Sequence, residues 1–358
     1  MQLSRRRFIS STVTLGIIGK HILKSETDST INKFFENNEI SKVKELVYPL
    51  GLQKGAKIAI TAIASPTSMG EIASCIRAFK YFGCSVEVGK TITQNNYKYR
   101  YLSNSDIIRA NEFMEFIKRE DINAIIIARG GYGSLRILPY LDYELIRQSR
   151  KIIMGFSDIT ALINAIYTKS KLVTYHGPVA SNYFNNYVNN NIYNTLFQNQ
   201  DLKFAKVKMP NMYVINKGFA RGKLIGGNLT MISSLLGTEY EIDTTNSILF
   251  LEEVSEQPYK IDRMLTQLWL AGKLQSCNGI FFGYIKNLDS RHNFFPGLSF
   301  TVRQIIESRL KPIGIPCFIG FPFGHTDSNY ILPIGIDSSF NTKTKSFEFI
   351  ESPVYSNS

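Results

Sequence analysis

Cysteine, histidine and long apolar runs are scarce in this chain of 358 residues. None of the four cysteines forms a Cys-x-x-Cys motif, and none of the four histidines belongs to a His-Glu-x-x-His motif. The usual zinc-binding motifs are therefore absent from the sequence, and we expect no bound metal. No apolar stretch approaches the roughly 20 residues that a transmembrane helix needs, so no stable membrane span is expected. The composition, 44% hydrophobic and 20% charged, is that of an ordinary globular protein.

Three common motifs are missing from the glycine-rich stretch at residues 129–136. A phosphate-binding loop needs a lysine after its last glycine, and none stands there. A dinucleotide fingerprint needs a third glycine near position 136, and a Gly-x-Ser-x-Gly elbow needs one two residues after Ser134, where Arg136 stands. We therefore expect no nucleotide cofactor, nor any other cofactor, and not an ordinary α/β-hydrolase.

The positive charge is spread along the chain. The formal net charge is +12, but the basic residues do not gather in one helix or arm, so nucleic acid is not an expected partner. The first 24 residues are basic and contain no acid, with Arg5, Arg6 and Arg7 in a twin-arginine pattern followed by a mild apolar stretch at residues 12–19. Residues 1–30 thus predict a twin-arginine-type signal segment and export to the periplasm.

The alternative for this terminus is a basic segment without a targeting role, which would leave the protein in the cytoplasm. No small-x-small cleavage site precedes Lys20, so the segment also fits an uncleaved anchor. All four cysteines stand among apolar residues, which favours buried thiols, although an oxidising periplasm would permit a disulfide between Cys75 and Cys84.

Short β-rich runs alternate with helical periodicity from residue 57 onward. The runs at residues 57–63, 85–88, 124–128 and 152–155 predict strands, and those at residues 106–119, 134–141 and 158–169 predict helices. This order is typical of an α/β domain whose parallel sheet carries helices on both faces and function at the carboxyl ends of its strands. We place this N-terminal domain at residues 46–181.

An asparagine-rich segment at residues 182–218 predicts a linker of weak helicity and the domain boundary. A second α/β domain is expected at residues 219–352. Its predicted elements are a helix opened by residues 226–228, strands at 247–251, 279–283 and 315–320, and helices at 258–271 and 298–309.

Ser134 has the setting that a nucleophile needs. The apolar run at residues 124–128 ends in a glycine-rich turn, and Ser134 opens the next helical pattern, where backbone N–H groups favour developing negative charge. The sequence therefore predicts a serine hydrolase with Ser134 as nucleophile. A helix N-cap is the structural alternative for the same serine.

A serine nucleophile requires a base and a carboxylate that orients it. His176 and His325 both follow β-rich runs, and His325 is favoured by its flexible, polar neighbours. Glu252 and Glu253 close an apolar strand, which would hold a carboxylate at the rim of a sheet. The structural alternatives are a buried, hydrogen-bonded histidine and a solvated strand end.

Seven separated segments resemble the LD-carboxypeptidases, or muramoyl-tetrapeptide carboxypeptidases. The segments are residues 128–138, 155–162, 175–178, 226–229, 250–254, 261–268 and 320–325. The resemblance implies a Ser-Glu-His triad carried by Ser134, Glu252 and His325, with Glu252 preferred to Glu253 because the family's catalytic glutamate is the first acid after the strand. It also implies a Rossmann-like or flavodoxin-like N-terminal domain, a C-terminal domain, a site in the cleft between them, and a homodimer.

The implied reaction releases the terminal D-alanine of murein tetrapeptide by cutting its bond to a dibasic L-residue, so murein tetrapeptide or peptidoglycan fragments are the expected partners. Backbone N–H groups at Gly131 and Leu135 are the expected oxyanion donors. The substrate's free carboxylate suggests contacts from Arg129, Asp158 and Arg263. Asp158 fits a helix N-cap equally well, and Arg263 fits an exposed helix surface.

Two other functions agree with the same motifs. One is the microcin C immunity type of peptidase within this family, which hydrolyses peptidyl- or aminoacyl-nucleotides in the cytoplasm, and the predicted export signal disfavours it. The other is a non-catalytic relative that binds murein peptides. Retention of Ser134, Glu252 and His325 disfavours this second alternative.

Overall fold

A computed structural model describes residues 45–94, 97–197, 207–209, 211–283, 285, 289 and 299–355. Every helix and strand given below lies within residues 46–358, which form one compact unit. The signal predicted at residues 1–30 lies outside the described residues, as do His21, His292, part of the predicted linker and the predicted start of the helix at 298.

The strands and helices follow the alternating order that the sequence predicts. The strands are β1 (Lys57–Thr61), β2 (Ser85–Val88), β3 (Ala124–Ile127), β4 (Ile152–Gly155), β5 (Thr174–His176), β6 (Val207–Lys208), β7 (Tyr213–Asn216), β8 (Phe219–Asn228), β9 (Ser247–Glu252), β10 (Gly279–Gly283), β11 (Cys317–Phe321), β12 (Leu332–Ile334), β13 (Asp337–Asn341) and β14 (Ser346–Phe349). The α-helices are α1 (Ala73–Tyr81), α2 (Lys90–Thr93), α3 (Asp106–Lys118), α4 (Tyr143–Ser149), α5 (Thr160–Ser170), α6 (Asn186–Leu196), α7 (Leu229–Leu235), α8 (Pro258–Leu270) and α9 (Val302–Leu310). Short 3₁₀ helices span Tyr97–Tyr99, Ser134–Tyr140, Ser157–Ile159 and Lys311–Ile313.

The first sheet has the order β12-β5-β4-β3-β1-β2 among the described residues. Its strands run parallel except β12, which pairs antiparallel with β5. Strands β3 and β4 are apolar along their whole length and fully buried, because helices cover both faces of such a sheet. The predicted α/β fold with a parallel sheet is confirmed.

The second sheet has the order β6-β14-β13-β8-β9-β10-β11-β7 among the described residues. Strands β8 to β11 are parallel, and antiparallel strands flank them on both sides. Stacked phenylalanines fill its core, with the ring of Phe281 parallel to that of Phe318 at 5.3 Å. The second α/β domain is therefore also confirmed.

The chain does not divide cleanly between the sheets at residue 219. Strand β12 follows the second sheet in sequence but pairs with β5, so that Leu332 lies opposite His176. The asparagine-rich segment holds a regular helix, α6, whose N-cap Asn185 accepts a hydrogen bond from the N–H of Val188. Residues 198–206 and 210 of that segment lie outside the described residues.

Two hydrogen bonds join helix α5, behind the first sheet, to strand β8 of the second. The side chain of Asn164 donates to the carbonyl of Gly226, and the N–H of Asn228 donates to the hydroxyl of Thr160. Gly227 allows this contact, because its φ is +138° and an added Cβ would lie 2.6 Å from Cγ2 of Thr160 on α5. The carboxyl ends of β4 and β9 are thereby fixed near each other.

The cysteines are buried free thiols, and no disulfide joins Cys75 to Cys84. Burial raises the pKa of Cys84 to about 11, so this thiol is protonated at neutral pH. Within the described residues, no helix combines the length and the apolar character needed to span a membrane.

Candidate active site

Glu252 and His325 form a buried hydrogen-bonded pair. Nδ1 of His325 lies 2.7 Å from Oε2 of Glu252. The Glu252 side chain is 1% exposed, whereas that of His325 is 27% exposed. The carboxylate therefore lies behind the imidazole, and part of the ring faces solvent. This is the relation between an orienting acid and a general base that the sequence predicts.

The sequence builds this pair from two strand ends. Strand β9 is buried throughout and ends at Glu252, while β11 runs into a short loop that carries His325. The N–H of Gly324 donates to Oδ1 of Asn329, which closes the loop. Gly324 has a φ of +89°, and an added Cβ would lie 2.9 Å from Cγ of Glu252. A glycine is needed here because the loop both turns and packs against the acid.

The electrostatics favour a charged glutamate beside a basic histidine. Burial alone would raise the pKa of Glu252, but the hydrogen bond and the charge of His325 lower it below its ordinary value. Burial alone would lower the pKa of His325, but the hydrogen bond and the charge of Glu252 raise it above its ordinary value. Because the glutamate is ionised, Nδ1 carries the proton and the other ring nitrogen is free to act as a base.

His176 is a second histidine at this place and has a different environment. It is fully buried, and its ring packs against those of Phe156, Phe250 and Phe323. Neither ring nitrogen has a hydrogen-bond partner among the described residues. Burial lowers its pKa to about 4, so His176 is neutral at pH 7. Its position suits a packing role better than a general base.

Ser134 does not have the geometry of a nucleophile, and this corrects the sequence-based assignment. Its side chain is 0% exposed. Its hydroxyl donates to the backbone carbonyl of Asp158, and its N–H donates to Oδ2 of the same residue at 2.8 Å. Among the described residues, the hydroxyl makes no hydrogen bond with His325. A serine whose proton is already bound in a closed interior cannot approach a substrate carbonyl.

Ser157 has the geometry that Ser134 lacks. It follows β4 at the carboxyl edge of the first sheet and opens the helical segment that continues into α5. Its φ is +62°, a left-handed conformation that is costly for a residue other than glycine. Its side chain is partly exposed, and the ring of the preceding Phe156 lies 4.8 Å from that of His325. A strained serine on a sharp strand-to-helix turn is the arrangement of a nucleophile elbow.

Glycines surround Ser157 because the chain approaches it closely from two sides. A Cβ added to Gly130 would lie 3.1 Å from Cβ of Ser157 and 3.5 Å from the backbone nitrogen of Asp158. A Cβ added to Gly155 would lie 2.7 Å from Cγ2 of Ile159 and would force the strand away from the helix. Gly130 is therefore the residue of the glycine-rich turn that packs on Ser157.

The oxyanion donors follow from the position of the nucleophile. The N–H of Asp158 lies in the first turn of a helix, where backbone donors have no intrahelical acceptor. Gly131, with a φ of +97°, belongs to the turn that packs on Ser157. Gly131 therefore remains a candidate donor, and the N–H of Asp158 is a candidate beside Ser157, just as Leu135 is the predicted donor beside Ser134.

A buried arginine holds the glycine-rich turn in place. Arg109 is fully buried, and its guanidinium donates to the carbonyls of Ile63 and Gly133 and to the carboxylate of Asp106. These contacts tie the turn to the end of β1 and to α3. Buried charge is tolerated here because several of its N–H groups are bonded.

The remaining predicted site residues have separate places. Asp158 is buried, and burial raises its pKa although the N–H of Ser134 opposes the shift. Arg129 is exposed beside the glycine-rich turn, with Nη1 3.6 Å from Oε1 of Glu71. Arg263 is exposed on α8, and its guanidinium lies over the ring of Tyr259 at 5.4 Å. No contact among the described residues joins Arg263 to the candidate site.

Glu253, the second acid of the pair, has a structural role. Its carboxylate accepts hydrogen bonds from the N–H and the hydroxyl of Thr230 at the start of α7. This explains why two acids follow the strand, since one orients His325 and the other caps a helix. Among the described residues, no group of three or more histidine, cysteine or acidic side chains is arranged to hold a metal ion.

Comparison with known protein families matches both halves of the chain. The family model described as LD-carboxypeptidase N-terminal domain matches residues 58–177, and the model described as LD-carboxypeptidase C-terminal domain matches residues 221–340. Together they cover more than half of the chain and include Ser157, Glu252 and His325.

Individual relatives agree with these matches. A probable murein peptide carboxypeptidase of Bacillus subtilis (strain 168) is 34% identical over 83% of this chain and 92% of its own length. The crystal structure of muramoyltetrapeptide carboxypeptidase from Oxalobacter formigenes has a TM-score of 0.70 and 25% identity, covering 82% of this chain and 98% of that one. The microcin C7 self-immunity protein of Escherichia coli is 27% identical over 68% of this chain and 78% of its own length.

Proposed function

The chain belongs to the LD-carboxypeptidase family and is a peptidase, and on that premise we propose that it removes the terminal D-alanine from murein tetrapeptide with the triad Ser157, His325 and Glu252. The supporting observation is the strained Ser157 turn, whose neighbour Phe156 packs on the ring of a histidine that is hydrogen-bonded to a buried glutamate. Ser134 is outside this triad.

In the proposed reaction, His325 takes the proton of Ser157 on the ring nitrogen that does not face Glu252. The serine oxygen then attacks the carbonyl carbon of the third peptide residue and forms a tetrahedral oxyanion. Glu252 stays ionised and stabilises the imidazolium that results. The hydroxyl of Ser157 has no hydrogen-bond partner among the described residues, and such catalytic contacts often tighten only when substrate is bound.

The N–H groups of Gly131 and Asp158 are the proposed oxyanion donors, each worth on the order of 3 kcal/mol to the transition state. Collapse of the intermediate breaks the peptide bond, and His325 returns its proton to the amine of the departing D-alanine. Water, deprotonated by His325, then attacks the acyl-enzyme ester and restores Ser157.

Mass spectrometry of defined tetrapeptides after incubation with the purified protein tests this function. We expect loss of one alanine from the wild type and none from the Ser157→Ala variant, with circular dichroism verifying that the variant is folded. Tetrapeptides and intact sacculi that keep all their alanine would refute the proposed substrate.

The alternative within the family is hydrolysis of a peptidyl- or aminoacyl-nucleotide, which the similarity to the microcin C7 self-immunity protein supports. The same triad would serve, because both substrates present a carbonyl to a serine. Incubation with an aminoacyl-sulfamoyl nucleoside separates the two functions. Release of the amino acid from the sulfamoyl nucleoside, with no loss of alanine from tetrapeptide, would favour the alternative.

We propose the periplasm as the place of action, because the twin-arginine pattern precedes the first apolar stretch. A reporter fused to residues 1–30 should be exported, and the double substitution Arg5→Lys and Arg6→Lys should stop that export. We also propose a homodimer, which sedimentation of the purified protein tests.

A further inference from the structure

A cavity of about 580 Å³ begins at Pro66, the residue after Ser65, whose side chain contacts the glycine-rich turn. It is lined by Pro66, Thr67, Ser68, Met69, Glu71, Ile92 and Thr93. Ser65, immediately before this segment, accepts a hydrogen bond from the N–H of Tyr132. A Cβ added to Gly131 would collide with the Ser65 side chain. Ser65 therefore connects the cavity wall to the proposed oxyanion turn.

The cavity combines apolar walls with a pair of opposite charges. Met69, which is 47% exposed, and the buried Ile92 both line it, so the walls can cover a short aliphatic chain. Glu71 lines the cavity. Arg129 immediately precedes Gly130 in the chain, and its Nη1 lies close to Oε1 of Glu71. Gly130, the residue after Arg129, packs on Ser157, so the backbone of Arg129 is joined directly to the residue that contacts the nucleophile.

Hydrogen bonds from its neighbours keep the carboxylate of Glu71 ionised. Its Oε2 accepts hydrogen bonds from the hydroxyl of Thr67 at 2.9 Å and from the N–H of Ser68 at 2.8 Å. The Ser68 backbone contact, followed by the Thr67 hydroxyl, lowers its pKa below the ordinary value. The carboxylate is thus ionised at neutral pH and fixed in orientation, as a binding group for an ammonium should be.

Arg129 keeps donors for a second ligand group. Its Nη1 contacts Glu71 and the carbonyl of Pro66, at 3.6 and 3.4 Å. Its Nε and Nη2 have no hydrogen-bond partner among the described residues. Both charged side chains are about half exposed, and an ion pair of that kind contributes at most about 1 kcal/mol, so a ligand can insert into it at low cost.

We propose that this cavity is the subsite for the side chain of the third murein residue, and that Arg129 and Glu71 select diaminopimelate over lysine there. This rests on the function proposed above. Diaminopimelate carries an ammonium and a carboxylate at the end of a three-carbon spacer, and the pair offers one partner to each. Lysine carries only the ammonium. Glu71 then binds the ammonium, which diaminopimelate and lysine share. Arg129 binds the distal carboxylate, which only diaminopimelate has.

Competition between three tetrapeptides tests this proposal, with diaminopimelate, lysine or diaminopimelate amidated at its distal carboxylate in the third position. The wild type should favour diaminopimelate by about tenfold in kcat/KM over either of the others, because a charged hydrogen bond is lost. Arg129→Leu should bring the three values together by lowering that for diaminopimelate alone. Glu71→Gln should lower all three.

Arg221→Leu is the matched control, since Arg221 is an exposed arginine paired with Asp337 on the second sheet. It should leave the preference at its wild-type value. Equal cleavage of the three peptides by the wild type, or a preference that survives Arg129→Leu, would overturn the subsite while leaving the peptidase function intact. Absence of alanine release from all three would overturn the proposed function, and the subsite with it.

Discussion

Ser134 donates both its hydroxyl and its backbone N–H to Asp158, the residue that follows the strained Ser157. The glycine-rich turn and the serine turn are therefore joined at two points. One proposed oxyanion donor, Gly131, lies on the first turn, and the other, Asp158, lies on the second. The contact between Ser134 and Asp158 thus fixes the distance between the two donors, which makes Ser134 a positioning residue.

Ser134→Ala should weaken this contact without removing the nucleophile. We expect kcat to fall by roughly tenfold with little change in KM, because a small displacement of one oxyanion donor costs part of its contribution. The free energy of unfolding should fall by about 1 kcal/mol, because the buried carbonyl of Asp158 loses the hydroxyl of Ser134 and keeps the N–H of Thr160 as donor. Steady-state kinetics and urea unfolding measure the two effects.

Ser170→Ala is the control for Ser134→Ala. Ser170 is also fully buried and donates to a backbone carbonyl, that of Ile166, but it lies at the far end of α5. It should lose similar stability and keep its kcat. A folded Ser134→Ala variant with no more activity than Ser157→Ala would contradict the positioning role.

Glu252→Gln should change both the rate and its pH dependence. Loss of the carboxylate should lower kcat by roughly 10³–10⁴, as for other orienting acids. As a base, His325 must be neutral, so kcat/KM falls as pH drops through its pKa, which Glu252 holds above the ordinary value. Without that charge the pKa falls, and the acid limb of the profile should move to lower pH.

The pH profile of kcat/KM in both proteins measures this shift, with Glu239→Gln as control because that exposed glutamate pairs with Lys169 away from the site. An acid limb that stays in place in Glu252→Gln, or moves to higher pH, would mean that Glu252 does not control His325.

The strands, helices and two members of the site could be predicted from the sequence because local patterns determine them. Buried parallel strands read as apolar runs, and the carboxyl ends of such runs place Glu252 and His325 at a sheet edge. Glu252 was separable from Glu253 only through the family resemblance. The structure explains why the two acids differ, because the carboxylate of Glu253 accepts a hydrogen bond at the start of α7.

The sequence did not distinguish the nucleophile from a second serine as clearly as it identified Glu252 and His325. Ser134 and Ser157 both follow a buried strand and both open a helical segment, so their local patterns are equivalent. Burial and backbone conformation separate them, and both depend on tertiary packing. One sequence signal for Ser157 was present, because Gly155 stands two residues before it, which is the first half of a nucleophile elbow.

The pairing of β12 with the first sheet also could not be predicted from the sequence. The strand has three residues, and its partner β5 lies more than 150 residues earlier in the chain. Such a pairing depends on long-range contacts and leaves no periodic pattern of its own.

His176→Phe should make the protein more resistant to acid. The folded-state pKa of His176 is about 4, against an ordinary value of 6.5, so the unfolded chain binds the extra proton between these values and stability falls as pH drops through this window. The loss amounts to about 3 kcal/mol by pH 4, and phenylalanine should abolish it.

Urea unfolding at pH 7 and pH 4.5 measures this effect. At pH 7 the two proteins should have similar stability, because the substitution also removes two unpaired ring nitrogens from an aromatic cluster. If His176→Phe loses as much stability between the two pH values as the wild type does, His176 is not the acid-sensitive group.

Gly226→Ala should destabilise the fold severely, because the added Cβ would collide with the carbonyl of Phe250 on the adjacent strand. Gly237→Ala is matched for its positive φ but has nothing within 4 Å of the added carbon. We expect a loss of about 1 kcal/mol at Gly237 and about 4 kcal/mol or more at Gly226. Similar melting temperatures for the two variants would show that β8 and β9 do not pack closely enough at Gly226 to exclude a Cβ.

Covalent labelling with a fluorophosphonate, followed by peptide mass spectrometry, tests the central assignment most directly. Our account predicts one adduct, on the peptide that contains Ser157, with labelling suppressed in His325→Ala and retained in Ser134→Ala. An adduct on Ser134, or a D-alanine-releasing protein that carries no adduct on Ser157, would contradict it.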